Sequence, residues 1–255
     1  MENHDFDYCT VEEVEHRPWP MPARPWIMTQ TWHDLLFAHW PGDEVRLASM
    51  LPGALQLELY DGEAWLGIVP FHMTNVAPRG VPSLPWVSAF PELNVRTYVR
   101  VDEKPGVYFF SLDAGSPLAV AAARALFHLP YFGATMNVDR GDGRIRYRSR
   151  RNGSARVPAE LVVSYAPTGS MFNAKVGTLE YFLTERYCLY TLDADSHPLR
   201  LDIHHRPWPL QRAEAVFQVN TMAEAAGLSL PERAPLLHFA KRQDTVAWPL
   251  QRVGR

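Results

Sequence analysis

The stretch Glu92-Leu93-Asn94-Val95-Arg96-Thr97-Tyr98-Val99-Arg100 alternates polar and apolar residues. In an extended chain successive side chains point to opposite faces. Glu92, Asn94, Arg96, Tyr98 and Arg100 then share one face, and Leu93, Val95, Thr97 and Val99 the other. A carboxyl, an amide, a guanidinium and a phenol on one surface can fix a small polar ligand, with Arg96 gripping a carboxylate at two points. The same pattern also describes a sheet with one wet face, where a glutamate and an arginine simply pair. The residues alone leave both readings open.

Tyr131 follows a helical stretch and Pro130, so its position is stiffly defined. A buried tyrosine packs its ring and hydrogen-bonds its hydroxyl; it can also donate a proton or orient a carbonyl. Glu185-Arg186-Tyr187 reads as an ion pair beside a core aromatic, or as further polar groups joining the Glu92 face. His205 is a candidate acid or base, with a core or surface role as the plainer reading. The neighbours His204 and His205 point opposite ways in a strand, and His33 and His39 fall on different faces of a helix, so no metal site is expected. Arg144, Arg146, Arg148 and Arg150 form a stripe, read as a solvated edge strand or a surface for the acidic N-terminus rather than a nucleic-acid site.

Several chemistries lack their signatures. There is no G-x-G-x-x-G, no phosphate-loop motif, no G-x-S-x-G and no H-E-x-x-H. The formal net charge of -3 gives no general case for nucleic acid or anionic membrane. Cys9 and Cys188 are far apart and lack a redox or metal spacing, which suits a reducing compartment. The first residues are acidic, with no apolar signal core, and the expected location is the cytoplasm. Only three of the 25 basic residues are lysines: Lys104, Lys175 and Lys241. That matters because amine chemistry cannot be done by arginine.

The elements that must hold these groups read mostly as short strands. Residues 1–22 are expected to be a flexible acidic, Pro-rich leader, and 23–255 a single domain. The spacing of Trp32, Leu35, Leu36 and Trp40 predicts a short amphipathic helix over 31–40, stopped by Pro41-Gly42. A second helical turn is expected before Pro52. Asp61-Gly62 predicts a hairpin. Strands near 93–101 and 106–113 flank a turn at Glu103-Lys104-Pro105-Gly106. Ser116 and Pro117 open one clear helix that Pro130 ensures has ended. Gly141-Asp142-Gly143 and Asn152-Gly153 separate further strands, a short helix lies near 177–187, a hairpin over 188–208, and a last strand over 236–250. No alternating βαβ pattern stands out, which argues against a doubly wound nucleotide fold.

Taken together, "LLFAHWP", "AWLGIVPFHM", "ELNVRTYV", "PGVYFFSLDA", "ARALFHLPY", "ERYCLY" and "HRPWPL" resemble the YqjF-like family, a domain of unknown function in the acetoacetate decarboxylase-like superfamily. The resemblance implies a mainly β (α+β) fold, an antiparallel closed β-barrel with a few flanking helices and an internal site. Glu92 sits where the decarboxylases place a site glutamate. Their catalytic lysine pair falls on Tyr131-Phe132, and a phenol cannot form an imine. The resemblance therefore implies a barrel cavity for a small carbonyl- or carboxylate-bearing ligand without lysine-dependent decarboxylation or a cofactor. Arg96, Asn94, Tyr98, Glu185 and Arg186 would bind it. The alternative is a lyase or isomerase using Tyr131 and Glu92 as acid and base. Small molecules are the expected partners, and self-association is left open.

Overall fold

The computed structural model describes residues 5–83, 88–153 and 156–254. Its elements in chain order are β1 (Met28–Gly42), α1 (Glu44–Met50), β2 (Gln56–Leu57), β3 (Ala64–Pro78), β4 (Phe90–Val101) and β5 (Lys104–Ala114). There follow α2 (Pro117–Phe127), β6 (Tyr131–Gly141), β7 (Arg144–Arg151), β8 (Glu160–Phe172), α3 (Leu179–Thr184), β9 (Cys188–Leu192), β10 (Pro198–His205), β11 (Leu210–Asn220), α4 (Met222–Ala225), β12 (Leu236–Ala247) and β13 (Gln251–Arg252). Among the described residues no helix is long and apolar enough to cross a membrane.

All the strands join one sheet in the order β13-β10-β9-β5-β6-β7-β8-β11-β12-β1-β3-β4-β2, with β10 also pairing β12 and β4 also pairing β5. The expected antiparallel sheet is corrected: the sheet is mixed, because β5 runs parallel to both β6 and β9. Parallel neighbours need a crossover connection. Here α2 supplies it, so β5-α2-β6 is a βαβ unit that the sequence pattern did not reveal. Ser116 caps α2 by accepting from Ala119 N, Pro117 opens it, and His128 ends it in the left-handed region at φ 51°.

The predicted helix over 31–40 is instead the middle of β1, which pairs β12 on one side and β3 on the other. Its residues Leu35 to Trp40 are all buried, so the strand lacks alternation, and Asp34 at φ 52° resets its phase. The Asp61-Gly62 turn exists but is closed by one bridge, Tyr60–Glu63, while β2 pairs β4. The β4–β5 turn lies at Asp102-Glu103, so Lys104, Pro105 and Gly106 already belong to β5. The arginine stripe is not on an edge, since β7 is paired on both sides; Arg144 meets Glu214 and Arg146 meets Asp142, not the N-terminus.

Two large apolar clusters lie on opposite faces of the β3–β4 region. Leu93 and Val95 pack into one with Leu36, Ile68 and Tyr147. Tyr98, Phe71, Leu112 and Tyr131 belong to the other, with Phe37 and Trp208. Strand β4 is thus covered on both faces, and the reading of a wet face is set aside: Glu92 is 2% and Asn94 4% exposed. The segment before β1 lies against the body. His16 Nε2 meets His205 O at 2.8 Å, Arg17 Nη1 donates to Ile203 O at 2.9 Å, and Arg206 pairs with Asp7 and Glu13.

Candidate functional site

The polar face of β4 looks into a pocket of about 190 Å³. Glu92, Asn94 and Arg96 contribute to its wall, facing Tyr131 from β6, Arg186 after α3, and Trp208. The strand register explains the meeting. Asn94 pairs with Leu112 of β5, and Leu112 in turn pairs with Tyr131 at the first position of β6. The crossover by α2 therefore delivers Tyr131 beside the strand that carries Glu92. Helix α2 also forms wall, through Ala119, Ala122, Ala123 and Phe127.

At one end Tyr131 Oη donates to Glu92 Oε2 at 2.6 Å. Burial pushes the Glu92 carboxyl up to about 8; the Tyr131 hydrogen bond opposes the shift, and the charge of Asp113 adds to it. The carboxyl is therefore mostly a neutral acid at pH 7. Burial, with the Glu92 carboxyl next to it, holds the Tyr131 phenol well above the usual tyrosine range. This end can donate protons to a ligand oxygen and carries no fixed charge. Phe132 turns away from Tyr131's face and lies against the Arg151 guanidinium, 3.9 Å from its ring centre.

At the other end Arg96 Nη2 donates to Leu183 O at 3.1 Å, at the carbonyl end of α3, and lies 3.4 Å from Tyr98 Oη. No carboxylate pairs with Arg96 among the described residues, and its Nε is buried without a partner. A guanidinium withdrawn from water normally finds an anion. Gly67 stands opposite Arg96 in β3, and a Cβ there would come within 3.2 Å of Arg96 Cγ and 3.1 Å of the His39 ring. Glycine at this position leaves space for the arginine stem. Between the two ends the amide oxygen of Asn94 is buried and unpartnered. Buried polar groups are nearly always hydrogen-bonded, so this oxygen is an acceptor available on the pocket wall.

The remaining sequence candidates divide. Arg186 lines the pocket, but it pairs with Glu58 and donates from Nε to Phe182 O at 2.5 Å. Tyr98 lies beneath Arg96 rather than on the wall. The network assigns its roles: neutral His39 donates from Nε2 at 2.6 Å, and Tyr98 donates to Leu183 O at 2.9 Å. Glu185 also stays out of the wall, accepting from Tyr187 Oη at 2.6 Å and Trp208 N at 2.9 Å. It holds the loop that presents Trp208. His204 and His205 do point opposite ways: His204 faces Thr10 O, and His205 lines the pocket. Burial lowers His205 to about 4, which keeps it neutral.

Sequence reasoning did not single out Trp208, Phe37 or Glu58. Trp208 was visible only as part of "HRPWPL", and Glu58 lies 128 positions from its partner Arg186 with no local signal. The three lysines stay outside the pocket. Lys104 Nζ lies 5.6 Å from the Trp19 ring centre, Lys175 is exposed, and Lys241 pairs with Asp34 at 2.6 Å. Cys9 and Cys188 are both free thiols.

The DUF2071 family, described as an uncharacterized conserved protein, matches residues 29–244. The uncharacterized protein YqjF of Bacillus subtilis (strain 168) is 47% identical over 242 residues, covering 95% of this chain and 99% of that one. Among solved structures, acetoacetate decarboxylase from Legionella pneumophila superposes with a TM-score of 0.63 at 13% identity, covering 100% of this chain and 98% of that one. The enduracididine biosynthesis enzyme MppR complexed with pyruvate gives 0.62 at 9% identity, over 94% and 93% of the two chains. An acetoacetate decarboxylase-like enzyme from Sphingomonas wittichii RW1 gives 0.61 at 11%, over 93% and 97%. At these identities the structural likeness is one of fold. The sequence match decides the family: this chain belongs to DUF2071, the family of YqjF.

Proposed function

We propose that this protein is a cytoplasmic binder of a small carbonyl- or carboxylate-bearing molecule, held without a covalent bond in the pocket beneath α2. The reading takes the returning strand pairings, β10 with β12 and β4 with β5, as a closed wall around that pocket. The observation that carries it is Arg96: a guanidinium on the pocket wall with no carboxylate partner among the described residues. Neutral Glu92 supports it, because it hydrogen-bonds a carbonyl without repelling an anion. Pyruvate, with which the similarly folded MppR is complexed, is a molecule of this class.

The test is calorimetric titration with monocarboxylates of graded length, from pyruvate upward. The expected result is saturable binding that Arg96→Met weakens about tenfold or more, as loss of a charged hydrogen bond does. Equal affinity in Arg96→Met would remove the proposal. Borohydride added with a keto acid is expected to leave all three lysines unmodified.

A second reading has its own support. A carboxyl with a pKa of about 8, hydrogen-bonded to a phenol, is poised to exchange protons near neutral pH. In a lyase or isomerase, Glu92 and Tyr131 would be that acid and base. Solvent deuterium exchange into a bound keto acid, lost in Glu92→Gln, would support this second role; exchange unchanged in Glu92→Gln would remove it.

A further inference from the structure

Resting on that reading, we infer that the natural ligand is elongated and bipolar: a monocarboxylate whose far end carries a hydroxyl or carbonyl, with a flat apolar body between. Glu92 and Arg96 lie four residues apart on one strand face, with Asn94 between them, so their Cα atoms stand roughly 13 Å apart at ~3.3 Å per residue. The two ends have separate partners. Tyr131 holds Glu92, while the α3 carbonyl of Leu183 and the Tyr98 hydroxyl hold Arg96.

Apart from the Asn94 amide, the middle of the pocket is apolar. Val69 and Leu112 flank Asn94 in the sheet, and Phe37, Phe71, Phe109 and Trp208 close around them. Trp208 stacks on Trp32 at 5.8 Å with 17° between the rings, a slab-like wall that suits a planar guest. Size points the same way. One water needs ~10–15 Å³ of such space, so the pocket's 190 Å³ has room for roughly a dozen water-sized groups. A four-carbon keto acid fills about half of it and reaches only one polar end. A ligand with an acid at Arg96 and an oxygen at Glu92 and Tyr131 uses both ends and the space between.

The experiment compares three probes by isothermal titration calorimetry: acetoacetate, 3-phenylpropanoate and 3-(4-hydroxyphenyl)propanoate. The expected order of affinity is hydroxyphenyl, then phenyl, then acetoacetate, with about tenfold or more between first and last. Arg96→Met should weaken both aryl acids. Tyr131→Phe and Glu92→Gln, checked for folding by circular dichroism, should erase the preference for the hydroxylated acid. Acetoacetate binding as tightly as the aryl acids while still depending on Arg96 would overturn the elongated ligand and leave the proposed function standing. A hydroxyl preference that survives both Tyr131→Phe and Glu92→Gln would overturn the bipolar assignment. Absence of Arg96-dependent binding by any of the three acids would overturn both proposals.

Discussion

The Tyr131 hydroxyl reaches Glu92 Oε2 at 2.6 Å, joining two residues 39 positions apart and both enclosed by the fold. Their meeting ties the start of β6 to the middle of the sheet. It also decides how the carboxyl behaves, because the hydrogen bond resists a shift that burial drives much further.

Glu92 should make the folded protein less stable as pH rises. Its folded pKa of about 8 stands above the ordinary 4.5, so between those values the native state binds more protons than the unfolded one. Stability from this group is then complete below about pH 4.5, declines through the window, and levels off above about 8, by a few kcal/mol at roughly 1.4 per pKa unit. Glu92→Gln removes the ionisation. Urea midpoints for the two proteins should diverge from pH 5 to 9 in favour of the variant; parallel profiles would contradict the assignment.

Tyr131→Phe should raise the Glu92 pKa further. The phenol donates to the carboxylate and favours its charged form, so its removal leaves burial less opposed. Carbon-13 titration of the glutamate side chains reads this directly. A downward shift would mean that the phenol acts mainly through some other contact.

Arg17→Ala should destabilise the fold by about 1.5–3 kcal/mol, the usual range for hydrogen bonds of a charged group. Arg17 is 9% exposed; it donates to Ile203 O at 2.9 Å, lies 3.0 Å from His204 Nδ1, and sits 4.7 Å from the Tyr187 ring centre. Chemical denaturation measures the loss. Limited proteolysis should cut the variant near residue 17 sooner than the parent.

Gly106→Ala should cost about 1–3 kcal/mol through overpacking. A Cβ there would stand 2.7 Å from the Tyr190 ring and 2.8 Å from Cys188 O. The neighbour is backbone of β9, where β5 and β9 run parallel, so it has little room to give. An unchanged melting temperature would show that the strands separate easily.

The alternation from Glu92 to Arg100 was legible because a strand writes its two faces into the sequence at period two. What alternation cannot say is whether the polar face meets water or a pocket. Tyr131 and Glu92 were each legible as candidates, Tyr131 by its place after a helix and a proline, but the hydrogen bond that joins them depends on the strand crossover and leaves no local spacing. The β1 strand was misread for a physical reason. It is buried on both faces and shifts phase at Asp34, so Leu35, Leu36 and Trp40 mimic a helical stripe. The βαβ unit was hidden because one crossover among many hairpins leaves no repeating pattern. The Glu58–Arg186 pair depends on contacts far apart in the chain, which no local spacing records.

The short link from α2 to β6 has a consequence for how this fold changes its trade. Tyr131 is the first residue of β6, and only His128, Leu129 and Pro130 separate it from the end of α2. Neighbouring strand residues point to opposite sides, so a one-residue slip of β6 would turn Phe132 inward in place of Tyr131 and flip every other side chain of the strand with it. A different group can therefore be brought to this wall, with its surroundings intact, only by exchanging the side chain at position 131 itself.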